Sequence, residues 1–245
     1  MKSVLQLTDL HIFEDANRTL LPIDTKESFK RVLDFALADD EDWDLIVLSG
    51  DLADLGEAAS YAWIAEVFSE LEIPTVAVAG NHDDRAHLEK YFQCPSALSL
   101  GEWQISLLDS CPLSKVTGEL GQKELIGLRQ RIEAHPENPH LIFLHHPPIS
   151  LNSSWMDGMG LKNASAFWDC IENQDNVVAV VNGHVHQNFD TYREGVRVLS
   201  SPSTCTQFVP RTDRFALDPR PPGYRKLKLS DDGDIITEVK RVPSA

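Results

Sequence analysis

Residues that can bind metal ions are grouped at five places in the sequence, each directly after a short apolar run. Histidine and aspartate dominate these groups, which hold six of the nine histidines. A mixture of imidazole and carboxylate ligands suits Mn, Fe, Zn or Co better than Ca or Mg, which prefer oxygen ligands. The groups are Asp9-Leu10-His11, Gly50-Asp51 with Asp54, Gly80-Asn81-His82-Asp83, His145-His146 and Gly183-His184-Val185-His186.

Each group, taken alone, also fits a structural role. Asp51 after Gly50 is typical of a tight turn with a helix N-cap, and the segment 80–83 has the composition of a turn. His184 and His186 fit alternate positions on one face of a strand. Five such groups in succession are not expected by coincidence, so the joint pattern favours a metal site.

The apolar runs that precede these groups predict an α/β fold. Helical patterns separate the predicted strands, and the carboxyl ends of parallel strands are where such sheets bind ligands. Two sheets packed together and flanked by helices fit this order of elements. The predicted strands are Val4–Leu7, Leu45–Leu48, Val76–Ala79, Ile105–Leu108, Leu141–Leu144 and Val177–Val181.

The last quarter of the chain has a different pattern. Its apolar runs alternate or pair as in an antiparallel meander, with hairpin turn signals at residues 193–195 and 231–233. The runs predicted to be strands are Phe189–Tyr192, Val196–Leu199, Tyr224–Leu229 and Ile235–Lys240.

Two long irregular stretches, residues 147–162 and 201–222, interrupt the regular pattern. Loops of this length in a compact domain are usually functional, so we expect them to lie on the substrate side. They contain Trp155 and Phe208, which either stack a purine base or pack their own loops.

The amino-acid composition of the chain limits which kinds of molecule it is expected to bind. The net charge of −16 disfavours binding to nucleic-acid polymers and to anionic membranes. No run of the 22 Lys and Arg residues provides local positive charge, so bound metal cations are the expected partners of an anionic substrate. The cysteines form no CxxC pair, and we expect reduced thiols in a cytoplasmic protein. No apolar run approaches the roughly 20 residues of a membrane span.

The five groups, written D-x-H, G-D-x-x-D, G-N-H-D, H-H-P and G-H-x-H, resemble in order and spacing the calcineurin-like metallophosphoesterase superfamily. The resemblance implies a four-layer αββα sandwich of two mixed β-sheets flanked by helices, in a single domain over residues 1–245. Four outer motifs resemble the bacterial class III cyclic-AMP phosphodiesterases. These are Ser154-Trp155-Met156-Asp157, Leu161-Lys162-Asn163-Ala164, Pro202-Ser203-Thr204-Cys205-Thr206-Gln207-Phe208 and Pro222-Gly223-Tyr224-Arg225.

The resemblance also implies a role for each polar residue. His145 is preferred to His146 because the family ligand precedes x-Pro. Asn81 and His82 would contact the substrate phosphate, and His82 would bind no metal. Asp54 and Asp83 would orient ligands or cap loops. The implied ligands are Asp9, His11, Asp51 and His186 for one metal, and Asp51, Asn81, His145 and His184 for the other.

The chemistry of phosphodiester hydrolysis supports the catalytic roles of Asp51 and His82. Two metals about 3.5–4 Å apart clamp a phosphate and acidify a bridging water to hydroxide, the nucleophile. Asp51 can offer one carboxylate oxygen to each metal. The leaving ribose oxygen needs a proton, which His82 can donate as a general acid. Fe and Mn are the preferred metals, with Zn or Co as alternatives.

The predicted reaction is hydrolysis of 3',5'-cyclic AMP to AMP. An alternative is a broad phosphodiesterase acting on other small diesters, such as 2',3'-cyclic nucleotides or glycerophosphodiesters. A catalytically silent scaffold is a third possibility, but a scaffold is expected to have lost ligands, and this chain keeps every one. The sequence leaves the oligomeric state open.

Overall fold

The computed structural model describes residues 1–39, 42–112 and 115–243. Its strands are β1 (Lys2–Leu7), β2 (Leu45–Ser49), β3 (Thr75–Val78), β4 (Ala97–Leu100), β5 (Trp103–Leu108), β6 (His140–Leu144), β7 (Val177–Asn182), β8 (Phe189–Arg193), β9 (Val196–Ser200), β10 (Gln207–Phe208), β11 (Leu217–Asp218), β12 (Gly223–Leu229) and β13 (Ile235–Arg241). Its helices are α1 (Thr25–Leu37), α2 (Ala58–Phe68), α3 (Arg85–Tyr91), α4 (Gln122–Ala134), α5 (Ser154–Asp157) and α6 (Ala164–Ile171).

The strands form two mixed sheets and a short hairpin. The first sheet has the order β13-β12-β1-β2-β3, and the second has the order β4-β5-β6-β7-β9-β8. β1, β2 and β3 run parallel to one another, as do β5, β6, β7 and β9. The remaining strands of both sheets add antiparallel pairs. The family-based prediction of two mixed sheets is therefore confirmed.

Three apolar cores separate the four layers. The first lies between the two sheets and includes Val47 and Phe143. The second packs α1 and α2 against the outer face of the first sheet through Phe29 and Ile64. The third packs α4 and α6 against the outer face of the second sheet, with Phe167 fully buried. The molecule is thus an αββα sandwich.

β2 shows why the inner strands are continuous apolar runs in the sequence. Leu45 and Val47 belong to the core between the sheets, whereas Ile46 and Leu48 belong to the core beneath the helices. Because successive side chains of a strand point to opposite faces, a strand covered on both sides needs apolar residues at every position.

The structure differs from the predicted meander at the C-terminal end. The four predicted strands form two hairpins that belong to different sheets, β8–β9 in the second and β12–β13 in the first. β9 also pairs in parallel with β7. The meander was wrong because local alternation predicts a strand and its hairpin turn, but not which sheet edge the hairpin joins. The sequence pattern also missed the short elements β4, β10, β11 and α5.

The carboxyl ends of five strands meet above the core between the sheets. β1 leads to Asp9, β2 to Asp51, β3 to Asn81, β6 to His145 and β7 to His184. The predicted delivery of polar residues by five strand ends therefore matches the topology. Among the described residues, no helix combines the length and apolar character that crossing a membrane requires.

Candidate active site

The backbone at the strand ends turns through an unusual conformation. Asp9, His11, Asp51, His184 and His186 have φ angles of 54°, 50°, 51°, 70° and 48°. This left-handed region is uncommon for residues other than glycine, and such residues concentrate at functional sites. The loops also bind one another, because the backbone N–H groups of Asp9 and His11 donate to the carbonyls of residues 50 and 51 at 3.0 and 2.9 Å.

Two glycines allow the loops to approach closely. A Cβ atom on Gly50, whose φ is 102°, would lie 2.1 Å from Nδ1 of His145. A Cβ atom on Gly80 would lie 2.1 Å from Oδ1 of Asp51. Side chains at either position would therefore displace the polar residues of the site.

The first group of candidate ligands is Asp9, His11 and His186, all buried, with ligand atoms within 4.8 Å of one another. Nδ1 of His186 donates to the carbonyl of Thr206 at 2.9 Å, and Nδ1 of His11 lies 3.0 Å from Oδ1 of Asp54. The two Nε2 atoms lie 3.1 Å apart. When both Nδ1 atoms carry the proton, two nitrogen lone pairs face each other, and a shared cation would replace their repulsion with coordination.

The second group is Asp51, His145 and His184, also buried and also within 4.8 Å. Nδ1 of His145 donates to the carbonyl of Ser49 at 2.9 Å. Nε2 of His145, Nε2 of His184 and Oδ1 of Asn81 are buried and have no hydrogen-bond partner among the described residues. Buried polar atoms normally have partners, so these three atoms fit ligands of a metal ion.

Asp51 lies between the two groups. Its Oδ2 atom is 3.3 Å from Nε2 of His145 and 3.8 Å from Nε2 of His11. Burial alone would raise the pKa of Asp51, but His145 and His11 hold it well below its usual value. Burial alone would likewise lower the pKa of His145, but the Asp51 carboxylate raises it to about 9. Asp51 is therefore an anion in contact with candidate ligands of both groups.

His82 lies at the margin of the site, with 40% of its side chain exposed. Its backbone N–H donates to Oδ1 of Asp51 at 2.9 Å, and its Nδ1 donates to the carbonyl of Asp54 at 2.8 Å. Its ring centroid lies 4.9 Å from that of His11. His82 is thus fixed beside the ligand groups while remaining accessible from outside.

Asp83 joins the loops after β2 and β3. Its carboxylate accepts hydrogen bonds from the backbone N–H groups of Leu52, Ala53 and Gly80, and from the hydroxyl of Tyr61. Burial and, next, the Asp51 carboxylate raise the pKa of Asp83 to about 6. The contacts are those of a residue that caps loops.

His146 follows His145 directly and packs its ring against that of His184, with centroids 4.7 Å apart, but it directs its ring nitrogens to other partners. Its Nδ1 lies 2.9 Å from the Ser110 hydroxyl, and its Nε2 donates to the carbonyl of Val116 at 3.1 Å. Both ring nitrogens therefore contact the protein. The geometry favours His145 as the ligand from this pair.

Trp155 and Phe208 meet, although their loops are distant in sequence. Phe208 stacks on the ring of His186 with centroids 4.3 Å apart, and Trp155 and Phe215 contact Phe208 edge-on. These contacts are those of residues that pack the loops beside His186. Purine stacking by Trp155 or Phe208 stays a prediction.

Comparison with known proteins agrees with a metal site at these residues. The family profile described as Calcineurin-like phosphoesterase matches residues 2–188. This chain belongs to that family. Calcineurin-like phosphoesterases use a dinuclear metal centre, and the two residue groups joined by Asp51 are suited to one.

Curated relatives match this calcineurin-like phosphoesterase over nearly its whole length. It is 36% identical over 247 residues to the 3',5'-cyclic adenosine monophosphate phosphodiesterase CpdA of Vibrio vulnificus, covering 98% of this chain and 90% of that protein. It is 37% identical over 245 residues to the protein of the same name from Escherichia coli K12, covering 98% and 89%. A dimetal phosphatase from Danio rerio shares the fold, with a TM-score of 0.68 at 13% identity, covering 99% of this chain and 96% of that one.

Some residues that hold this phosphoesterase site together were not identified in the sequence. The Thr8 hydroxyl donates to Oδ2 of Asp9 at 2.8 Å, and the Ser203 hydroxyl donates to the Asp9 carbonyl at 2.7 Å. The carbonyls of Ser49 and Thr206 orient His145 and His186. Thr8 and Ser203 had a signal, since one precedes Asp9 and the other lies in an outer motif. The backbone carbonyls of Ser49 and Thr206 have no such signal in the sequence.

Proposed function

We propose that this protein hydrolyses 3',5'-cyclic AMP to AMP at a dinuclear metal centre. The observation that carries the proposal is the pair of buried ligand groups on either side of Asp51. Relatives that are named cyclic-AMP phosphodiesterases and match 98% of this chain support the choice of substrate. Hydrolysis of other small diesters is the alternative reaction.

The proposed ligands follow the two groups. Asp9, His11 and His186 hold one metal, and Asn81, His145 and His184 hold the other, with Asp51 shared. Imidazole nitrogens together with carboxylate and amide oxygens suit first-row transition metals, so we propose Fe or Mn, with Zn or Co as alternatives. The partnerless buried atoms of Asn81, His145 and His184 support this set.

When bound, the two metals would neutralise the phosphate and make a water nucleophilic at neutral pH. The chain's own residues then complete the reaction. The side-chain amide of Asn81, with its oxygen committed as a ligand, turns its N–H donors to a phosphate oxygen. As a general acid, His82 is an imidazolium with a proton on each ring nitrogen. The Asp54 carbonyl accepts the hydrogen bond from Nδ1, so the proton on Nε2 is the one available for transfer. As the phosphorus–O3' bond breaks, the Nε2 proton moves to O3' and leaves His82 as a neutral imidazole.

The proposal includes a small-molecule substrate and a cytoplasmic location. The four cysteines are unpaired, and this supports a reducing compartment, where disulfides are rare. The net charge of −16 argues against nucleic-acid polymers and anionic membranes as partners.

Kinetics on a panel of substrates tests the proposal. Metal-analysed protein is assayed with 3',5'-cyclic AMP, 2',3'-cyclic AMP, glycerophosphodiesters and bis-p-nitrophenyl phosphate. The highest kcat/KM among the natural diesters is expected for 3',5'-cyclic AMP. Equal kcat/KM values across the natural diesters would support the broad alternative, and no turnover with any metal would support a scaffold.

A further inference from the structure

A cleft of about 680 Å³ opens beside the residues that we assign to the substrate phosphate. Its lining includes Asn81 and His82, together with Leu55, Arg85 and Asp109. Pockets that bind small molecules are typically about 300–1,000 Å³. We propose that this cleft binds the nucleobase of the substrate and that Arg85 is the residue that recognises it, an inference that rests on the proposed function.

The position of His82 places the nucleoside on this side of the site. A proton donor must lie within hydrogen-bond distance of the atom it protonates, so the ribose O3' lies next to His82. The base is attached to the same ribose. Since His82 lines the cleft, the base of a substrate in this position extends into it.

Arg85 is held in an orientation suited to recognition. Its Nε donates to Oε1 of Glu89 at 2.7 Å, and its Nη1 donates to the carboxylate of Asp109. The other oxygen of Asp109 accepts from the backbone N–H of Cys111 at 2.9 Å, which fixes that carboxylate in turn. Two of the five guanidinium N–H donors are engaged in these contacts. The other three can donate to the ring nitrogens of a purine.

The two carboxylates complement these donors. Asp109 and Glu89 both line the cleft and can accept a hydrogen bond from an exocyclic amino group. An adenine edge offers an amino donor next to a ring-nitrogen acceptor, so an arginine held between carboxylates matches it. The guanidinium of an arginine stays charged in proteins, and the hydrogen bond to Glu89 raises the pKa of Arg85 further against the opposing effect of burial.

Leu55 supplies an apolar surface in the same cleft. It follows Asp54 directly and is 50% exposed despite its size. A planar base lying against Leu55 would remove apolar area from water. The cleft thus combines the polar groups of Arg85, Glu89 and Asp109 with the apolar surface of Leu55.

A second cleft of similar size fits the nucleobase less well. It is lined by residues 149–152 and 187–193 together with Pro210 and Arg211. None of the proposed metal ligands, and not His82, is among the described residues that line it. The aromatic cluster of Trp155, Phe208 and Phe215 is a further candidate, but Phe208 uses a ring face on His186.

The test uses product inhibition, so that it does not depend on cyclic-AMP turnover. Metal-loaded full-length protein hydrolyses bis-p-nitrophenyl phosphate, and AMP or ribose 5-phosphate is added as inhibitor. Ribose 5-phosphate shares the sugar and the phosphate of AMP but has a hydroxyl group on C1' in place of adenine. The variants are Arg85→Met and Leu55→Ala, with Arg129→Met, at an exposed position on α4, as a charge control and Phe215→Ala as the aromatic alternative.

Wild-type protein should bind AMP more tightly than ribose 5-phosphate. Arg85→Met should weaken inhibition by AMP about tenfold or more, the effect of losing a hydrogen bond to a charged group, with inhibition by ribose 5-phosphate little changed. Leu55→Ala should act in the same direction, and Arg129→Met should leave the ratio of the two inhibition constants unchanged. Equal weakening of both inhibitors by Arg85→Met, or an effect of Phe215→Ala alone, would overturn the inference. Wild-type protein that binds AMP selectively but does not hydrolyse cyclic AMP would instead contradict the proposed function.

Discussion

Three histidines around Asp51 use one ring nitrogen to contact the protein and turn the other to the site. His145, His186 and His11 contact the Ser49 carbonyl, the Thr206 carbonyl and the Asp54 carboxylate through Nδ1. Such partners fix the tautomer and the orientation of a ligand before the metal binds. At the scale of single residues, the site is therefore preorganised.

His82 differs from these histidines because it is accessible and because the role that we propose for it is proton transfer. General-acid catalysis contributes roughly 10²–10⁴-fold when the leaving group needs a proton. His82→Ala should slow cyclic-AMP hydrolysis by about this factor, and should slow bis-p-nitrophenyl phosphate much less, because nitrophenolate leaves without a proton. The measurement is kcat/KM for both substrates, with His135→Ala as an exposed control. Equal slowing of both substrates would mean that His82 positions the phosphate, and loss of metal would place it among the ligands.

Asp51 is the one residue that both proposed ligand sets share. Asp51→Asn keeps the size of the side chain but removes the negative charge that lies between two cations. We expect loss of at least one metal and of nearly all activity, with the fold retained. Elemental analysis, circular dichroism and turnover are measured together, and Asp169→Asn, an exposed position on α6, serves as the control. A fully active variant with two tightly bound metals would refute the shared role of Asp51.

At the scale of elements, the segment 201–208 supports the loop that carries Asp9. The hydroxyl of Ser203 donates to the Asp9 carbonyl and accepts from the N–H of Cys205 at 2.9 Å. Ser203 is fully buried. Removing its hydroxyl leaves buried partners unsatisfied, which costs about 1–3 kcal/mol.

Ser203→Ala should therefore lower the free energy of unfolding by about 1–3 kcal/mol and weaken metal binding at the group of Asp9, His11 and His186. Denaturant unfolding and metal titration measure the two effects. Ser99→Ala, an exposed serine of β4, is the matched control. Unchanged metal affinity would show that the segment stabilises the fold without supporting the ligand loop.

Elements that depend on local pattern could be predicted, and those that depend on distant partners could not. The continuous apolar run of β2 predicts a buried strand because both of its faces are covered. The hairpin at residues 193–195 was recognisable, but its membership of the second sheet depends on pairing between β9 and β7, which have no shared sequence signal. The orientation of His146 likewise depends on Ser110 and Val116, which the residues around His146 do not indicate.

At the scale of the whole molecule, the first sheet joins the two ends of the chain. β12, near the C-terminus, pairs with β1, near the N-terminus. A single domain over residues 1–245 stays a prediction. The range 1–245 includes residues that the structure does not describe. The pairing of β1 with β12 is the observation that supports a single domain.

Metal removal should lower the stability of this whole assembly. The site brings the carboxylates of Asp9 and Asp51 together in a buried position, and bound cations would offset their repulsion. A ligand of the folded state stabilises it by about 2.7 kcal/mol at a hundredfold excess over Kd. The melting temperature of protein freed of metal should thus fall by several degrees and return on reloading. An unchanged melting temperature after verified metal removal would argue against a preformed site.

The central claim is that two metals act together in the hydrolysis of cyclic AMP. Its most direct test is a titration of metal-free protein with Mn²⁺ or Fe²⁺ under anaerobic conditions, following cyclic-AMP hydrolysis and bound metal in the same samples. Activity should appear as the second metal binds and should reach its plateau at two metals per chain. Full cyclic-AMP turnover at one bound metal per chain, or in protein that holds none, would contradict the account.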